Sequence, residues 1–212
     1  MSALRIVVHS DYLCPWCYNA DVRLRRVEEE FAGRVEIEWR AFLLRPSPRP
    51  VPDSPEAEAR ALEEFVRYTG SWLRPAAEPD AATFRVWETT EGPPTHSLPA
   101  HCVAKAAATL GPDAFRAMHD RLLAAYFTEN RDISRTPVLR ELWADAGLCA
   151  DAFRGAEDPA LVERTLAEHQ DALERGMTGV PAAYLEGQDA FLLGAQPLAL
   201  YRRWVTRNLP GA

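Results

Sequence analysis

A small α/β domain interrupted by a large all-helical block is the architecture this sequence predicts. A strand, helix, strand pattern occupies residues 4–42, prolines crowd the segment after it, and a helix, two short strands and a last helix close the chain. At 212 residues, 47% hydrophobic and 26% charged, the chain carries enough apolar material for a core without disulfide staples.

Leu4 to His9 is almost continuously apolar, as in a strand covered on both faces, and the run ends at Ser10-Asp11. Beyond Cys14-Pro15-Trp16-Cys17, the residues Ala20, Leu24, Val27 and Phe31 recur at helical spacing, with Arg23, Arg25, Arg26 and Glu28 to Glu30 on the other faces. Pro15 suits the first turn, where a missing N–H is harmless, and Gly33 suits the stop. Val35, Ile37, Trp39 and Ala41 then alternate with Glu36, Glu38 and Arg40, which is the period of a second strand.

Prolines at 46, 48, 50, 52 and 55 end this pattern, since no helix interior or central strand tolerates them. Helices are expected beyond: a weaker one near 56–69, one capped by Ser97 over Ala100, Val103, Ala107 and Leu110, one opened by Pro112 with Phe115, Met118, Leu122 and Tyr126, and one after Ser134 on Val138, Leu142 and Trp143. Trp72, Phe84, Trp87 and Trp143 read as the core of this block rather than as a substrate groove. Asp158-Pro159 starts a helix through Leu161, Val162, Leu166 and Leu173 to Gly176. A hairpin of 182–185 and 190–193 around Gly187-Gln188 follows, and Pro197 opens the last helix. Residues 1–50 and 155–212 thus form two parts of one α/β domain, and 51–154 form the helical insertion.

The charge balance bears on function. Lys and Arg number 24 against 31 Asp and Glu, a formal net charge of -7, so nucleic acid is not an expected partner. No run approaches the roughly 18 apolar residues of a membrane span, and the first residues lack a signal-peptide pattern, so no membrane association and a cytoplasmic location are expected.

Four cysteines stand at 14, 17, 102 and 149, and the first two form the one close pair. A Cys-x-x-Cys at a strand-to-helix junction places its first sulfur at an exposed helix N-terminus, where free backbone N–H groups and the helix dipole favour a thiolate. Cys14 is then the attacking nucleophile. Cys17, one turn further in, is positioned to attack a mixed disulfide on Cys14 and release the substrate. The same spacing is half a tetrahedral zinc site, but no second ligand pair stands at zinc spacing among His96, His101, His119, His169, Cys102 and Cys149, so no metal is expected. No cofactor beyond a Cys14–Cys17 redox disulfide is needed.

The segment Ser10-Asp11-Tyr12-Leu13-Cys14-Pro15-Trp16-Cys17-Tyr18 resembles the active-site signature of DsbA-family thioredoxin-fold proteins, specifically the FrnE-like branch. Trp39-Arg40-Ala41-Phe42-Leu43-Leu44-Arg45-Pro46 resembles that branch's second strand, and Ala125-Tyr126-Phe127-Thr128 with Asp132-Ile133 its helical insertion. Gly179-Val180-Pro181 and Gly194-Ala195-Gln196-Pro197 resemble the cis-proline loop and the last turn. The resemblance implies a thioredoxin-like fold with a large helical insertion and makes the protein a thiol-disulfide oxidoreductase. It assigns Cys14 as the attacking thiol, Cys17 as the resolving thiol and Pro181 as the cis-proline facing them, with Val180, Pro15 and Trp16 as substrate contacts. The implied substrates are disulfide- or thiol-containing proteins or small molecules, and a homodimer is compatible with this reading. The alternative is a glutathione-dependent isomerase or transferase of the kappa-like group, which typically carries Ser where this chain has Cys14. Two departures from the branch's pattern are Asn19-Ala20, where a small apolar residue and Gly are usual, and Cys102, where a basic residue is common.

Outside the redox pair the expectations are structural. Asp11 reads as a local turn cap, His9 and His101 as packed histidines, and Cys102 and Cys149 as small hydrophobes among apolar helical residues. Trp16, where strongly oxidising DsbA proteins carry His, argues against extreme oxidising power and offers substrates an apolar contact.

Overall fold

Strand β1, Leu4–Ser10, is buried from Ile6 onward. The computed structural model describes residues 3–209, so Met1 and Ser2 of the apolar start, and residues 210–212, lie outside it. Helix α1, Pro15–Glu30, returns the chain to β2, Val35–Ala41, which pairs parallel with β1 so that Val8 lies beside Trp39. Proline at the first turn of α1 and Gly33 at φ +73 in the turn to β2 mark the ends as expected.

The helical segment comprises α2 (Pro55–Thr69), α3 (Leu73–Ala76), α4 (Leu98–Ala108), α5 (Pro112–Phe127) and α6 (Thr136–Asp145). Helix α7, Pro159–Glu174, leads back to the sheet, and α8, Leu198–Asn208, closes the described chain. Between them β3, Ala182–Leu185, pairs antiparallel with β1, and β4, Phe191–Leu193, extends from β3, giving the sheet order β2-β1-β3-β4. This is a thioredoxin-like α/β sheet carrying a helical insertion, the fold class expected.

The sheet buries both faces. Ile6 and Val8 pack with Leu24, Val27, Tyr201 and Val205 under α1 and α8, while Val7, Phe42 and Tyr184 meet Ala172 and Met177 near α7. A separate apolar cluster fills the helical segment, where Trp72, Trp87, Tyr126, Phe127 and Trp143 are fully buried. Tyr12 and Leu13 of the loop after β1 belong to that second cluster, so the loop carrying Cys14 is gripped by the insertion rather than by the sheet alone. Each apolar side chain so buried contributes about 1.5–3 kcal/mol, which makes this grip firm.

Several local expectations are corrected. Ser97 precedes α4 but caps nothing: its Oγ accepts the Arg45 N–H at 3.2 Å, and its own N–H donates to the Arg45 carbonyl at 2.9 Å, tying down the proline-rich segment. Pro55, grouped by sequence with helix-breaking prolines, opens α2 because the first turn has no use for its N–H. Leu166 and Leu173 of α7 are exposed, since the helix turns Thr165 and Ala172 inward instead. Cys149 is exposed at the end of the connection from α6, not packed among apolar residues, whereas Cys102 is buried as expected.

Arg23 is the largest departure. The helical spacing sets it off the apolar stripe of α1, yet it is 1% exposed. Its guanidinium donates to Asp80 Oδ1 at 2.6 and 2.9 Å, to Glu78 Oε2 at 2.9 Å, and to the Ala195 and Gln196 carbonyls at 3.0 and 3.2 Å. One side chain therefore fastens α1 to the insertion and to the turn before α8. Asn19 does similar work, donating to the Pro75 carbonyl at 2.9 Å and accepting the Ala82 N–H at 2.8 Å. Its departure from the family pattern has a structural reason: an apolar residue there would leave both partners unpaired.

Candidate active site

The loop between β1 and α1 is shaped by Asp11. Its carboxylate accepts the Leu13 N–H at 2.6 Å, the turn-capping role expected of it, and also the Leu44 N–H at 2.8 Å from the segment after β2. The Asp11 carbonyl accepts the Cys14 N–H at 3.1 Å, which delivers Cys14 to the N-cap position of α1. There the Cys14 Sγ accepts the Cys17 N–H at 3.4 Å, so a sulfur does what an Asp or Ser side chain usually does at a helix start. A donor thus faces the atom that disulfide exchange leaves negative.

The Val180–Pro181 peptide bond is cis, as the resemblance implied, and it brings the loop before β3 against the pair. Cys14 Sγ donates to the Val180 carbonyl at 3.4 Å across 166 positions of sequence. Pro181 is buried at the base of this loop, and its carbonyl accepts the Gly194 N–H at 2.7 Å from the β4 side. Gly194 at φ +82 makes the turn that allows this bond. Pro15 and Trp16 are half-buried at the rim beside the cysteines.

The two sulfurs differ less in exposure than expected. Cys14 is 6% exposed and Cys17 3%, so the first sulfur is not freely exposed at the helix tip. The reason is Val180, whose carbonyl covers it. The electrostatic asymmetry is clearer: burial, then the hydrogen bond and charge of Cys14, push the Cys17 thiol well above its usual range. Burial thus disfavours the thiolate form of Cys17.

The insertion contributes residues that sequence reasoning missed. Tyr68 of α2 is half-exposed, and burial, followed by the charge of Cys14, raises its phenol. Tyr12 lies 2.8 Å from His119 Nδ1 of α5, and His119 Nε2 lies 3.3 Å from Asp21 of α1. His101 of α4 stands with its ring 4.8 Å from that of Tyr12 and its Nε2 3.9 Å from Asp11 Oδ2. No local periodicity announces these partners, because each pair joins segments about 90 or more positions apart or joins separate helices. His9 is buried as expected, its Nδ1 3.3 Å from the Ala41 carbonyl and stacked on Tyr184; burial lowers its pKa. Cys102 Sγ lies 4.0 Å from the Thr165 hydroxyl.

A parallel β-α-β unit joined to an antiparallel hairpin, with a Cys-x-x-Cys at the first helix start opposite a cis-proline, defines a thioredoxin-like thiol fold. The model of the DSBA-like thioredoxin domain matches residues 5–204, and the chain belongs to that family. It is 27% identical over 186 residues to the uncharacterized protein YwbO of Bacillus subtilis, covering 84% of each chain. Among solved structures, a protein of Streptomyces coelicolor described as a probable DsbA oxidoreductase superposes with a TM-score of 0.71 at 26% identity, covering 96% of this chain and 89% of that one. The cytosolic disulfide reductase DsbM of Pseudomonas aeruginosa, solved with GSH, superposes at 0.63 and 24% identity, covering 96% and 98%. Among the described residues no helix is long and apolar enough to cross a membrane.

Proposed function

We propose that this protein catalyses thiol-disulfide exchange through Cys14 and Cys17, as a member of the FrnE-like branch acting in the cytoplasm. The observation that carries this is the position of Cys14 Sγ, which accepts the Cys17 N–H and donates to the carbonyl before Pro181, each at 3.4 Å. Deprotonated Cys14 attacks a substrate disulfide, forming a Cys14–substrate bond while the substrate's other sulfur leaves with the electron pair. Cys17 then attacks Cys14, the substrate's second sulfur leaves, and the enzyme pair is oxidised by two electrons as the substrate disulfide is reduced. Run backward, the same steps form disulfides.

Val180 gives the first step a second use. A Cys14 engaged in a mixed disulfide no longer has an S–H to donate, so the Val180 carbonyl is freed to accept an N–H from an extended substrate chain. Pro15 and Trp16 supply the apolar rim and Pro181 the floor of this contact. Substrates are proteins or small molecules carrying a disulfide or thiol, and the net charge of -7 argues against nucleic acid. The reaction needs no cofactor beyond the cysteine pair, and a homodimer accords with it. The residues carrying the thioredoxin-like part are 1–50 and 155–212, with 51–154 as the insertion that shapes the rim.

The test is turnover of insulin disulfides with glutathione or dithiothreitol as donor. The protein is expected to accelerate reduction, and Cys14→Ser to abolish the acceleration. A rate equal to that of the donor alone with both thiols overturns the reading. The kappa-like alternative, in which glutathione's sulfur is activated without enzyme oxidation, predicts full activity of Cys17→Ser on a non-disulfide electrophile instead.

A further inference from the structure

Between α4, α7 and the edge strand β2 lies a cavity of about 70 Å³ whose charged wall is of one sign. Arg40 of β2, Lys105 of α4 and Arg164 of α7 line it, and among the described residues no carboxylate does. The chain carries 31 acidic residues against 24 basic ones, so composition does not explain cations from three separate elements meeting here. Ser10, Tyr12 and His101 add hydroxyl and imidazole groups, and the rest of the wall is apolar, which strengthens a charge interaction inside. His101 is 5% exposed, and its Nε2 finds no hydrogen-bond partner among the described residues.

The carboxylates behind these cations are shared. Glu168 takes Lys105 at 2.5 Å, Arg164 at 3.2 Å and the Ala41 N–H at 2.8 Å. Glu38 takes Arg40 at 2.7 Å and Arg5 at 3.7 Å, while Asp171 takes Arg175 at 3.1 Å and Arg40 at 3.7 Å. One carboxylate cannot use all the N–H groups of an ammonium and a guanidinium together, so donors are left over on both Lys105 and Arg164. Burial pulls Lys105 below the usual lysine range even with Glu168 beside it, and a further anion would oppose that cost.

Size and arrangement narrow the ligand. A volume of about 70 Å³ is the scale of a small oxyanion, since a water molecule takes about 30 Å³, and it leaves no room for a nucleotide or peptide. A flat carboxylate is matched by one planar guanidinium, whereas cations converging from three elements suit a tetrahedral anion.

We propose that this cavity binds a phosphate-class oxyanion, either the free ion or the phosphoryl group of a small phosphomonoester. Lys105 and Arg40 hold the anion from within, and Arg164, with its side chain 65% exposed, meets it from the solvent side. The anion joins β2 to α4 and α7 and so fastens the insertion to the thioredoxin-like half. These residues are separate from the cysteines and the cis-proline loop, so the site stands apart from the redox reading.

Isothermal titration calorimetry at constant ionic strength tests this, with inorganic phosphate, glycerol 3-phosphate and acetate as separate titrants into the reduced full chain. A saturating one-site isotherm with a Kd of about 1 mM or tighter is expected for phosphate or the ester, and binding at least about tenfold weaker for acetate. Tighter binding of the ester supports a phosphorylated small molecule as the occupant, and tighter binding of phosphate supports the free ion. Arg164→Gln is expected to weaken binding about tenfold, because it removes a charge-assisted donor. Glu168→Gln is expected to tighten it about 3- to 10-fold, because the competing carboxylate charge is gone. Opposite shifts in these two variants separate a bound anion from the general stabilising effect of phosphate on folded proteins, which neither substitution would move. Titrations that do not saturate, acetate binding as tightly as phosphate, or an affinity unchanged in Arg164→Gln or not raised in Glu168→Gln would overturn the proposal.

Discussion

Cys17→Ala is expected to accumulate mixed disulfides with substrate, whereas Cys14→Ala is expected to form none and to lose about a thousandfold or more in turnover. The asymmetry follows from the cap. Cys14 Sγ sits where the helix begins, accepting a backbone N–H and facing the Val180 carbonyl beside which substrate must lie. Cys17 is one turn inward and its thiol is pushed well up by burial, so it is the poorer first nucleophile. Removing it stalls the reaction after attack. Nonreducing gels of each variant incubated with a cell extract, followed by reduction, read the difference directly. Adducts on Cys14→Ala would reverse the two roles.

Arg23→Met is expected to cost about 3 kcal/mol, which for a chain of this size lowers Tm by roughly 6–12 °C. The methionine fills the stem's volume but leaves Asp80, Glu78 and the carbonyls of Ala195 and Gln196 without their shared donor. The pair is buried on the arginine side only, since Glu78 is well exposed, so the loss is placed at the low end for a buried charge. Arg23→Lys should recover only part of it, because one ammonium cannot reach four acceptors arranged around a planar fork. Thermal unfolding of the three proteins decides this. Equal Tm values would mean that the clamp contributes nothing to holding the insertion on α1.

How much of this was legible depends on the range over which each signal acts. Period-two and helical spacing are local, so the β-α-β unit, the hairpin and α2, α4, α5, α6 and α7 could be placed from the residues themselves. The Cys-x-x-Cys was legible for the same reason. The short α3 and the 3-10 stretches at Gly70–Trp72 and Ala150–Glu157 were not, because turns of so few residues carry no period. The burial of Arg23 leaves no local signal because its partners lie 55 to 57 and 172 to 173 positions away. The cis bond at Pro181 was reached through the family resemblance, since nothing local distinguishes it. His101 reads as a packed histidine, and so it is; only the fold shows that its Nε2 stands 3.9 Å from Asp11.

The role of the cysteine pair is tested most directly by mapping where oxidation falls. Reduced protein equilibrated with a series of glutathione redox buffers, acid-quenched, alkylated and digested, reports the state of all four cysteines at once. A single disulfide linking Cys14 to Cys17 is predicted, with Cys102 and Cys149 alkylated throughout and a midpoint between about -270 and -120 mV, the range spanned by thioredoxin and DsbA. Cys14 and Cys17 remaining as thiols in every buffer, or pairing with Cys102 or Cys149 instead of with each other, would contradict it.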